Sequence, residues 1–318
     1  MKGSLSFARR GPGWYAPSPF QGEGRGEVGL GQRVASLITD ERNTCLDLLI
    51  CGTAAAEGWP ALFCVCEACE KARSLGGKDI RTRAAYMIDD RLRVDFGPDS
   101  YMHQLKYGLR YDKLEHLIIT HAHSDHWYPT DVHYRRRGYS VVPKDSLMYI
   151  WGNEKVYQKF ESVNPDHWDS YKIVYKRITP WRRMDLGQGV VGVPIAAAHD
   201  TSEECVNYVL LQNGRALLIG HDTGWYEEPT WMYLSGQSLN VVLLDCTYGP
   251  NDFPRGHLGC EGVVRARDEM ARRGALAPDA RVIATHFSHN GGWLHADLEA
   301  FLTPHGIEVA YDGMRLSV

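Results

Sequence analysis

LIITHAHSDHW, residues Leu117–Trp127, joins an apolar run to a dense group of metal-capable side chains. The first four residues are apolar or β-branched and predict a short buried strand. His121, His123, Asp125 and His126 follow within six residues. Imidazole and carboxylate are ligands that zinc and similar divalent ions prefer. An extended loop of this composition can supply ligands to two adjacent metals. The alternative, a His-rich surface loop, would not be expected to follow a buried strand.

Three later apolar runs also end in metal-capable residues. These residues are His199, the pair His221–Asp222, and His286. A sheet would present such strand ends at one common edge. A single histidine after a strand is more often a structural hydrogen-bonding group, but three cases in one chain favour metal binding. We expect His221 to point to the opposite face from Asp222 and to have a supporting or structural role.

The pattern His-x-His-x-Asp-His after a strand resembles the signature of the metallo-β-lactamase superfamily. The resemblance implies an α/β fold, a four-layer αβ/βα sandwich. It implies a first metal held by His121, His123 and His199, a second held by Asp125, His126 and His286, and Asp222 bridging both. An Asp rather than a Cys at the bridging position differs from the true zinc β-lactamases. It is similar to the branch that includes glyoxalase II, transfer-RNA 3′-processing nucleases and phosphodiesterases.

A second group of soft ligands lies earlier in the chain, at Cys64-x-Cys66-x-x-Cys69. Three thiolates suit tetrahedral zinc, which needs a fourth ligand. His289 lies three residues after His286. This combination resembles the PhnP family of cyclic phosphodiesterases, and PqqB-like proteins carry a similar cysteine element. The resemblance implies a structural zinc at Cys64, Cys66, Cys69 and His289; three buried thiols without metal are the alternative.

The resemblance also implies the chemistry. It places His257, in the stretch 256–259, at a catalytic position alongside Asp125 and Asp222. The expected reaction is hydrolysis of a small phosphodiester, cyclic diesters included, by a water activated between two metals. Zinc, manganese and iron all tolerate these ligands. The alternatives are a thioesterase or lactonase of the same superfamily and a PqqB-like biosynthetic or carrier protein.

The composition and net charge of the chain limit the classes of partner that it could bind. The 318 residues are 44% hydrophobic and 23% charged, with a formal net charge of -4, which is ordinary for a soluble globular protein. No polybasic footprint suggests nucleic acid, and no apolar run is long enough to span a bilayer. From this composition we expect a cytoplasmic protein with neither membrane nor nucleic-acid partner, and the resemblance implies a small phosphoester substrate. The sequence leaves open whether the protein forms a homodimer.

The organisation along the chain follows from local patterns. Residues 1–43 are rich in Gly and Pro without a sustained period, and they predict a poorly ordered extension. Residues 44–318 would form the hydrolase domain. Within it we predict a helix over 146–160, and the aromatic-rich segment 151–181 suggests a lid or insertion over the site. The tryptophans that follow ligand motifs could wall a pocket or pack in the core: they are Trp127, Trp225 and Trp293.

Overall fold

The computed structural model describes residues 45–164, 168–251, 253 and 256–318, so the predicted extension over 1–43 lies outside the described residues. The strands of this part are β1 (Asp47–Gly52), β2 (Ala85–Ile88), β3 (Leu92–Val94), β4 (His116–Ile118), β5 (Met148–Gly152), β6 (Ile173–Arg177), β7 (Met184–Asp185), β8 (Val191–Ala196), β9 (Val206–Gln212), β10 (Arg215–Gly220), β11 (Leu239–Asp245), β12 (Leu276–Thr285), β13 (Ile307–Val309) and β14 (Arg315–Ser317). The α-helices are α1 (Glu67–Leu75), α2 (Ser100–Tyr107), α3 (Glu154–Val163), α4 (Trp168–Tyr171), α5 (Glu228–Ser235), α6 (Cys260–Arg272) and α7 (His295–Leu302).

The strands form two seven-stranded mixed sheets. The first has the order β14-β1-β2-β3-β4-β5-β6, and the second has the order β13-β12-β11-β10-β9-β8-β7. In the second sheet β10, β11, β12 and β13 pair in parallel. Their carboxyl ends therefore meet at the same edge, where open α/β sheets commonly bind ligands.

Three buried apolar clusters show how the layers stack. Alternate residues of β1 point to different clusters, as the period of a strand requires. Leu48 belongs to a cluster shared by both sheets, whereas Leu49 packs with Phe160 of α3. A third cluster joins Leu218 of β10 to Val263 of α6. The order helices, sheet, sheet, helices confirms the predicted four-layer αβ/βα sandwich.

The predicted helix over 146–160 is wrong at its start. Residues Met148–Gly152 form β5, which pairs in parallel with β4 and β6, and only the following residues are helical. Asn153 separates the two elements, because its side chain accepts a hydrogen bond from the backbone N–H of Val156 at 2.9 Å and caps α3. Met148, Ile150 and Gly152 are buried, whereas the residues between them are only half-buried. This alternation fits a strand near the edge of a sheet better than a helix face.

The predicted lid over residues 151–181 is also wrong for the described part of that segment. It supplies α3, α4 and the edge strand β6 of the first sheet. Tyr171 and Ile173 are buried in the cluster under α3. Phe160 and Tyr171 thus serve packing of an outer layer, because a sheet edge and two short helices need apolar cover.

Among the described residues, no helix combines the length and the apolar character needed to cross a bilayer.

Candidate metal centre

The loop over residues 121–126 follows β4 and is tied to the loop after β3. The backbone N–H of Phe96 donates to the carbonyl of His126 at 2.7 Å. Gly97 allows this close approach, because a Cβ atom there would lie 1.8 Å from the carbonyl oxygen of Asp125. Backbone contacts therefore fix the loop that carries the first four candidate ligands.

Three candidate ligands from the second sheet meet this loop. His199 lies three residues beyond β8, Asp222 lies two residues beyond β10, and His286 directly follows β12. Asp222 and His286 have φ angles of 51° and 61°. Side chains other than glycine rarely adopt this conformation, which costs about 1–3 kcal/mol per residue and often marks a functional site.

The candidate ligands form two adjacent groups. The first consists of His121, His123 and His199, and the second consists of Asp125, His126, Asp222 and His286; within each group the potential ligand atoms lie within 4.8 Å of one another. In the first group, Nε2 of His199 lies 3.3 Å from Nδ1 of His123. The structure thus brings together the seven residues that the sequence predicted for a dinuclear site.

Asp222 lies between the two groups. Its Oδ2 atom is 3.3 Å from Nε2 of His286 and 3.8 Å from Nε2 of His121, and it also contacts Nε2 of His126. Its Oδ1 atom is 4.0 Å from Nε2 of His199. One carboxylate therefore faces both groups, as expected of a bridging ligand.

Four of the atoms that face the centre lack hydrogen-bond partners. Among the described residues, these buried and unpartnered atoms include Nε2 of His121, His126 and His286, and Oδ2 of Asp222. Leaving buried polar atoms without partners costs free energy. These four neighbouring atoms are all of types that bind divalent ions, and their lack of partners fits a metal-binding centre.

The opposite nitrogen of each imidazole is hydrogen-bonded. The partners are Thr120 for His121, Asp95 for His126, Gly256 for His199, Thr247 for His286 and Asp200 for His123, at 2.8–3.2 Å. Such contacts fix the tautomer and the ring orientation of a metal-binding histidine. His123 is reversed relative to the others, because its Nε2 contacts Asp200 and its Nδ1 faces His199.

His221 is not a member of either group. Its Nε2 atom lies 2.7 Å from Oδ2 of Asp95, and the same oxygen lies 2.8 Å from Nδ1 of His126. Both imidazoles are fully buried. His221 therefore supports the carboxylate that orients His126, in agreement with the sequence-based expectation.

The buried carboxylates favour positive charge in this centre. Burial opposes ionisation of Asp222, but His286 and His126 outweigh it and hold the pKa of that carboxyl well below its usual range. Burial lowers the pKa of His286, but Asp222 outweighs it and raises that pKa to about 10. A site with this charge attracts either protons or divalent cations to the same imidazole lone pairs.

His257 lies beside the second group. Its Nδ1 atom is 2.8 Å from Oδ2 of Asp245 and 3.5 Å from Oδ1 of Asp222. Asp245 is fully buried and also accepts hydrogen bonds from the backbone N–H groups of Thr247 and Leu258 at 3.0 Å each. The structure thus orients His257 through a fixed carboxylate at the rim of the centre.

The groups open into a cavity of about 390 Å³. Besides the candidate ligands and His257, its lining includes Glu57, Tyr248, Ser288 and Asn290, none of which sequence reasoning had selected. Ser288 follows the His286 motif closely enough to have been considered. Glu57 and Tyr248 carry no local pattern that distinguishes them from surface residues.

The tryptophans do not wall this cavity. Trp127 is fully buried and stacks on Phe160 at a centroid distance of 6.2 Å. Trp225 packs on Trp231, and Trp293 packs against the cluster on the outer face of the second sheet. The core-packing alternative therefore holds for Trp127 and, in part, for Trp293, whereas Trp225 is 43% exposed.

The cysteine element forms a separate group. The ligand atoms of Cys64, Cys66, Cys69 and His289 lie within 4.8 Å of one another, and Nδ1 of His289 is 3.4 Å from Sγ of Cys66. Burial raises the pKa of Cys69 to about 12. For Cys66, hydrogen bonds from Cys69 and His289 outweigh burial and lower the pKa to about 6. Three sulfurs and one imidazole nitrogen match a closed tetrahedral zinc site.

A family model described as a beta-lactamase superfamily domain matches residues 91–287, more than half of the chain. The chain belongs to the beta-lactamase superfamily. Members of this superfamily are generally hydrolases, and the fold implies binding of divalent metal. Among curated proteins, none matches the chain.

Solved structures of the beta-lactamase superfamily share the fold. A diphosphatase from the PhnP family aligns with a TM-score of 0.68 and 21% identity over 86% of this chain and 97% of that chain. Zn²⁺-bound PqqB from Methylobacterium extorquens aligns with a TM-score of 0.67 and 17% identity over 86% and 100%. The short form of human tRNase Z aligns with a TM-score of 0.59 and 14% identity over 86% and 99%. At these identities the likeness shows the fold alone.

Proposed function

We propose that the protein is a dinuclear metal-dependent hydrolase of small phosphodiesters. The observation that carries the proposal is the set of unpartnered imidazole and carboxylate atoms that converge from both sheets. His121, His123 and His199 would hold one cation, and Asp125, His126 and His286 would hold the other, with Asp222 shared. Two divalent cations supply an activated water near neutral pH and neutralise charge on phosphoryl oxygens.

The protein's own residues would perform the remaining steps. Asp95, Asp200 and Thr247 hold imidazoles in their binding orientation. His257 uses Nδ1 for Asp245, and no described residue bonds its Nε2. That nitrogen is therefore free to donate a proton to the oxygen of the leaving alcohol or to bind a phosphate oxygen.

One feature of the site favours a phosphodiester over a thioester or a lactone. An Asp at the shared position, Asp222, does not separate these substrates, because the branch that the sequence resembles includes glyoxalase II as well as nucleases and phosphodiesterases. The Asp245–His257 pair supplies a positioned proton donor, since Nδ1 of His257 is held by Asp245 and lies 3.5 Å from Oδ1 of Asp222, and such a donor suits a poor alkoxide leaving group. The fold shared with a PhnP-family diphosphatase is consistent with this choice.

The separate group of Cys64, Cys66, Cys69 and His289 would hold a structural zinc. It joins the loop before α1 to the segment that follows His286, since His289 lies three residues further along. A closed thiolate site contributes folding free energy rather than catalysis. Its loss is expected to loosen the cavity wall that includes Ser288.

Turnover of bis(p-nitrophenyl) phosphate by the zinc- or manganese-loaded protein tests the proposal, alongside a panel of thioesters and lactones. The expected result is metal-dependent cleavage of the phosphodiester that exceeds cleavage of the other esters. A preference for thioesters or lactones would replace the phosphodiesterase with another superfamily hydrolase. A loaded two-metal centre that cleaves none of these esters would favour a PqqB-like carrier or biosynthetic role.

A further inference from the structure

One wall of the cavity is polar and does not belong to the candidate metal ligands. Glu57 accepts hydrogen bonds at a single oxygen, Oε1, from Oγ of Ser288 and from Nδ2 of Asn290, the latter at 3.4 Å. Among the described residues, none donates to the second oxygen, Oε2. Nε2 of His289 also lies 3.6 Å from Oε1, and the Glu57 side chain is 28% exposed and lines the cavity, which leaves Oε2 as its acceptor for a bound molecule.

The wall is rigidly connected to the metal centre. The backbone N–H of Ala55 donates to the carbonyl of Phe287 at 2.9 Å, and the N–H of Phe287 donates to the carbonyl of Thr53 at 2.8 Å. Arg83 donates through Nε to the carbonyl of Ala56 at 2.6 Å. Since Phe287 directly follows a candidate ligand, the loop that carries Glu57 is held in place relative to the metals. Such preorganisation is typical of binding sites.

The negative charge of Glu57 indicates which groups of a substrate this wall would bind. A carboxylate accepts hydrogen bonds from hydroxyl and ammonium groups and repels anions. None of the described residues that line this cavity is Lys or Arg. A second phosphate or a carboxylate on the substrate would therefore face the Glu57 carboxylate without a Lys or Arg of the described cavity lining to balance it; the basic side chains near this wall are imidazoles, with Nε2 of His289 at 3.6 Å from Oε1 of Glu57.

Tyr248 lines the same cavity beside this wall. The ring of Tyr248 lies 5.4 Å from the ring of His257, with an interplanar angle of 83°. Backbone around Tyr248 packs closely on the 288–291 turn, since a Cβ at Gly291 would lie 3.1 Å from the carbonyl oxygen of Tyr248. The tyrosine ring and the polar wall therefore border the same space, which suits a carbon chain that carries hydroxyl groups.

We infer that Glu57, with Ser288 and Asn290, forms a substrate subsite that selects a hydroxyl-bearing or cationic alcohol group of the diester and disfavours a second anion there. The inference rests on the proposed phosphodiesterase function. Glu57 would set the substrate selectivity, in favour of hydroxyl or cationic groups and against anions.

Three esters with the same leaving group provide the test: the 2,3-dihydroxypropyl, propyl and 2-carboxyethyl esters of p-nitrophenyl phosphate. With the metal-loaded protein, kcat/KM is expected to be about 10-fold higher for the dihydroxypropyl ester than for the propyl ester. The carboxyethyl ester is expected to be about 10-fold poorer than the propyl ester. In Glu57→Gln, the kcat/KM ratio of the dihydroxypropyl to the propyl ester and the ratio of the propyl to the carboxyethyl ester should both fall towards unity.

The matched control is Glu154→Gln, which changes an exposed carboxylate paired with Arg177 on the surface and should leave both ratios as in the native protein. Asn290→Ala, at an exposed position, should reduce the first ratio because it removes one contact that orients Glu57. Equal losses for all three esters in Glu57→Gln, with ratios unchanged, would overturn the subsite and leave Glu57 a structural role.

Inhibition separates failure of the subsite from failure of the proposed function. The ratio of Ki values for propylphosphonate and 2,3-dihydroxypropylphosphonate should fall in Glu57→Gln if the subsite exists. If no phosphodiester is cleaved, the proposed function fails, and binding of the two phosphonates measured by calorimetry still tests the subsite. Identical affinity ratios in the native and variant proteins would refute it.

Discussion

Glu203 accepts a hydrogen bond from the backbone N–H of Ala122 at 3.0 Å, although 81 residues separate them. Ala122 lies between two candidate ligands, and its carbonyl accepts a hydrogen bond from Nζ of Lys159 at 2.7 Å. Asn153, the cap of α3, donates to the same Glu203 oxygen at 2.8 Å. Two side chains of opposite charge therefore hold the two peptide groups on either side of Ala122, which fixes the spacing of His121 and His123.

Glu203→Ala should weaken metal binding at the first group. The ligand imidazoles remain, but their connecting peptide loses its anchor, and loss of such supporting contacts typically costs about 10–100-fold in affinity. Competition with a chromogenic chelator measures the change. Glu204→Ala, at the exposed neighbouring position, is the control, and equal affinities in the two variants would contradict the anchoring role.

Asp245→Asn should lower kcat more than it changes KM. The amide is nearly the same size, but it removes the charge that holds Nδ1 of His257 at 2.8 Å. We expect a loss of about 10–100-fold in kcat, with both active-site metals retained by elemental analysis. His257→Ala should lose most turnover and also retain metal. Normal turnover in His257→Ala would remove its proposed role in proton transfer.

Chelation should distinguish the two kinds of metal site. The native protein is expected to contain about three metals per chain, two in the open centre and one in the thiolate group. Mild EDTA treatment should remove about two and abolish activity, while one resists because closed thiolate sites hold metal tightly. Cys69→Ser should lose the resistant metal and lower the melting temperature. Uniform release of all metals in one step from the native protein would contradict two distinct kinds of site.

Gly97→Ala should destabilise the fold and disturb the metal centre. Its Cβ would lie 1.8 Å from the carbonyl oxygen of Asp125, so the ligand loop must move. Overpacking of this kind typically costs about 1–3 kcal/mol. Chemical denaturation measures the cost. Gly236→Ala is the control, since Gly236 has φ of −88° and its nearest neighbour would be 3.6 Å from the new Cβ; it should change stability by less than about 1 kcal/mol.

The ligand loop was predictable because its chemistry is local. Four metal-capable side chains within six residues, placed after an apolar run, need no tertiary information to indicate a metal site. The later strand ends were predictable for a related reason, since parallel strands bring their carboxyl ends together. His199, Asp222 and His286 lie where that rule places them.

The segment over 146–160 shows where local reasoning failed. Its residues suit either a helix or a strand, and periodicity over so short a run does not separate the two. Pairing of β5 with β4 and β6 selects the strand. Asn153 then begins the helix by capping it. Only neighbours distant in sequence determine which of the two structures the first half adopts.

The polar wall and the supporting carboxylates could not be predicted in the same way. Glu57 meets Ser288 across 231 residues, and Asp95 meets His221 across 126. Neither pair carries a spacing that marks it, because a hydrogen bond between loops of different sheets depends on how the layers stack.

Side-chain type and local order were therefore sufficient to indicate the metal-binding loop and the cysteine element, since each depends on short-range pattern, and the resemblance of these motifs to known families implied the sandwich. The close approach at Gly97 follows from the pairing of β3 with β4 in the first sheet, whereas the sharing of Asp222 between two groups and the orientation of Glu57 arise only when the two sheets pack face to face. That packing places atoms from distant parts of the chain within a few ångströms, and such distances are a property of the folded layers rather than of any segment.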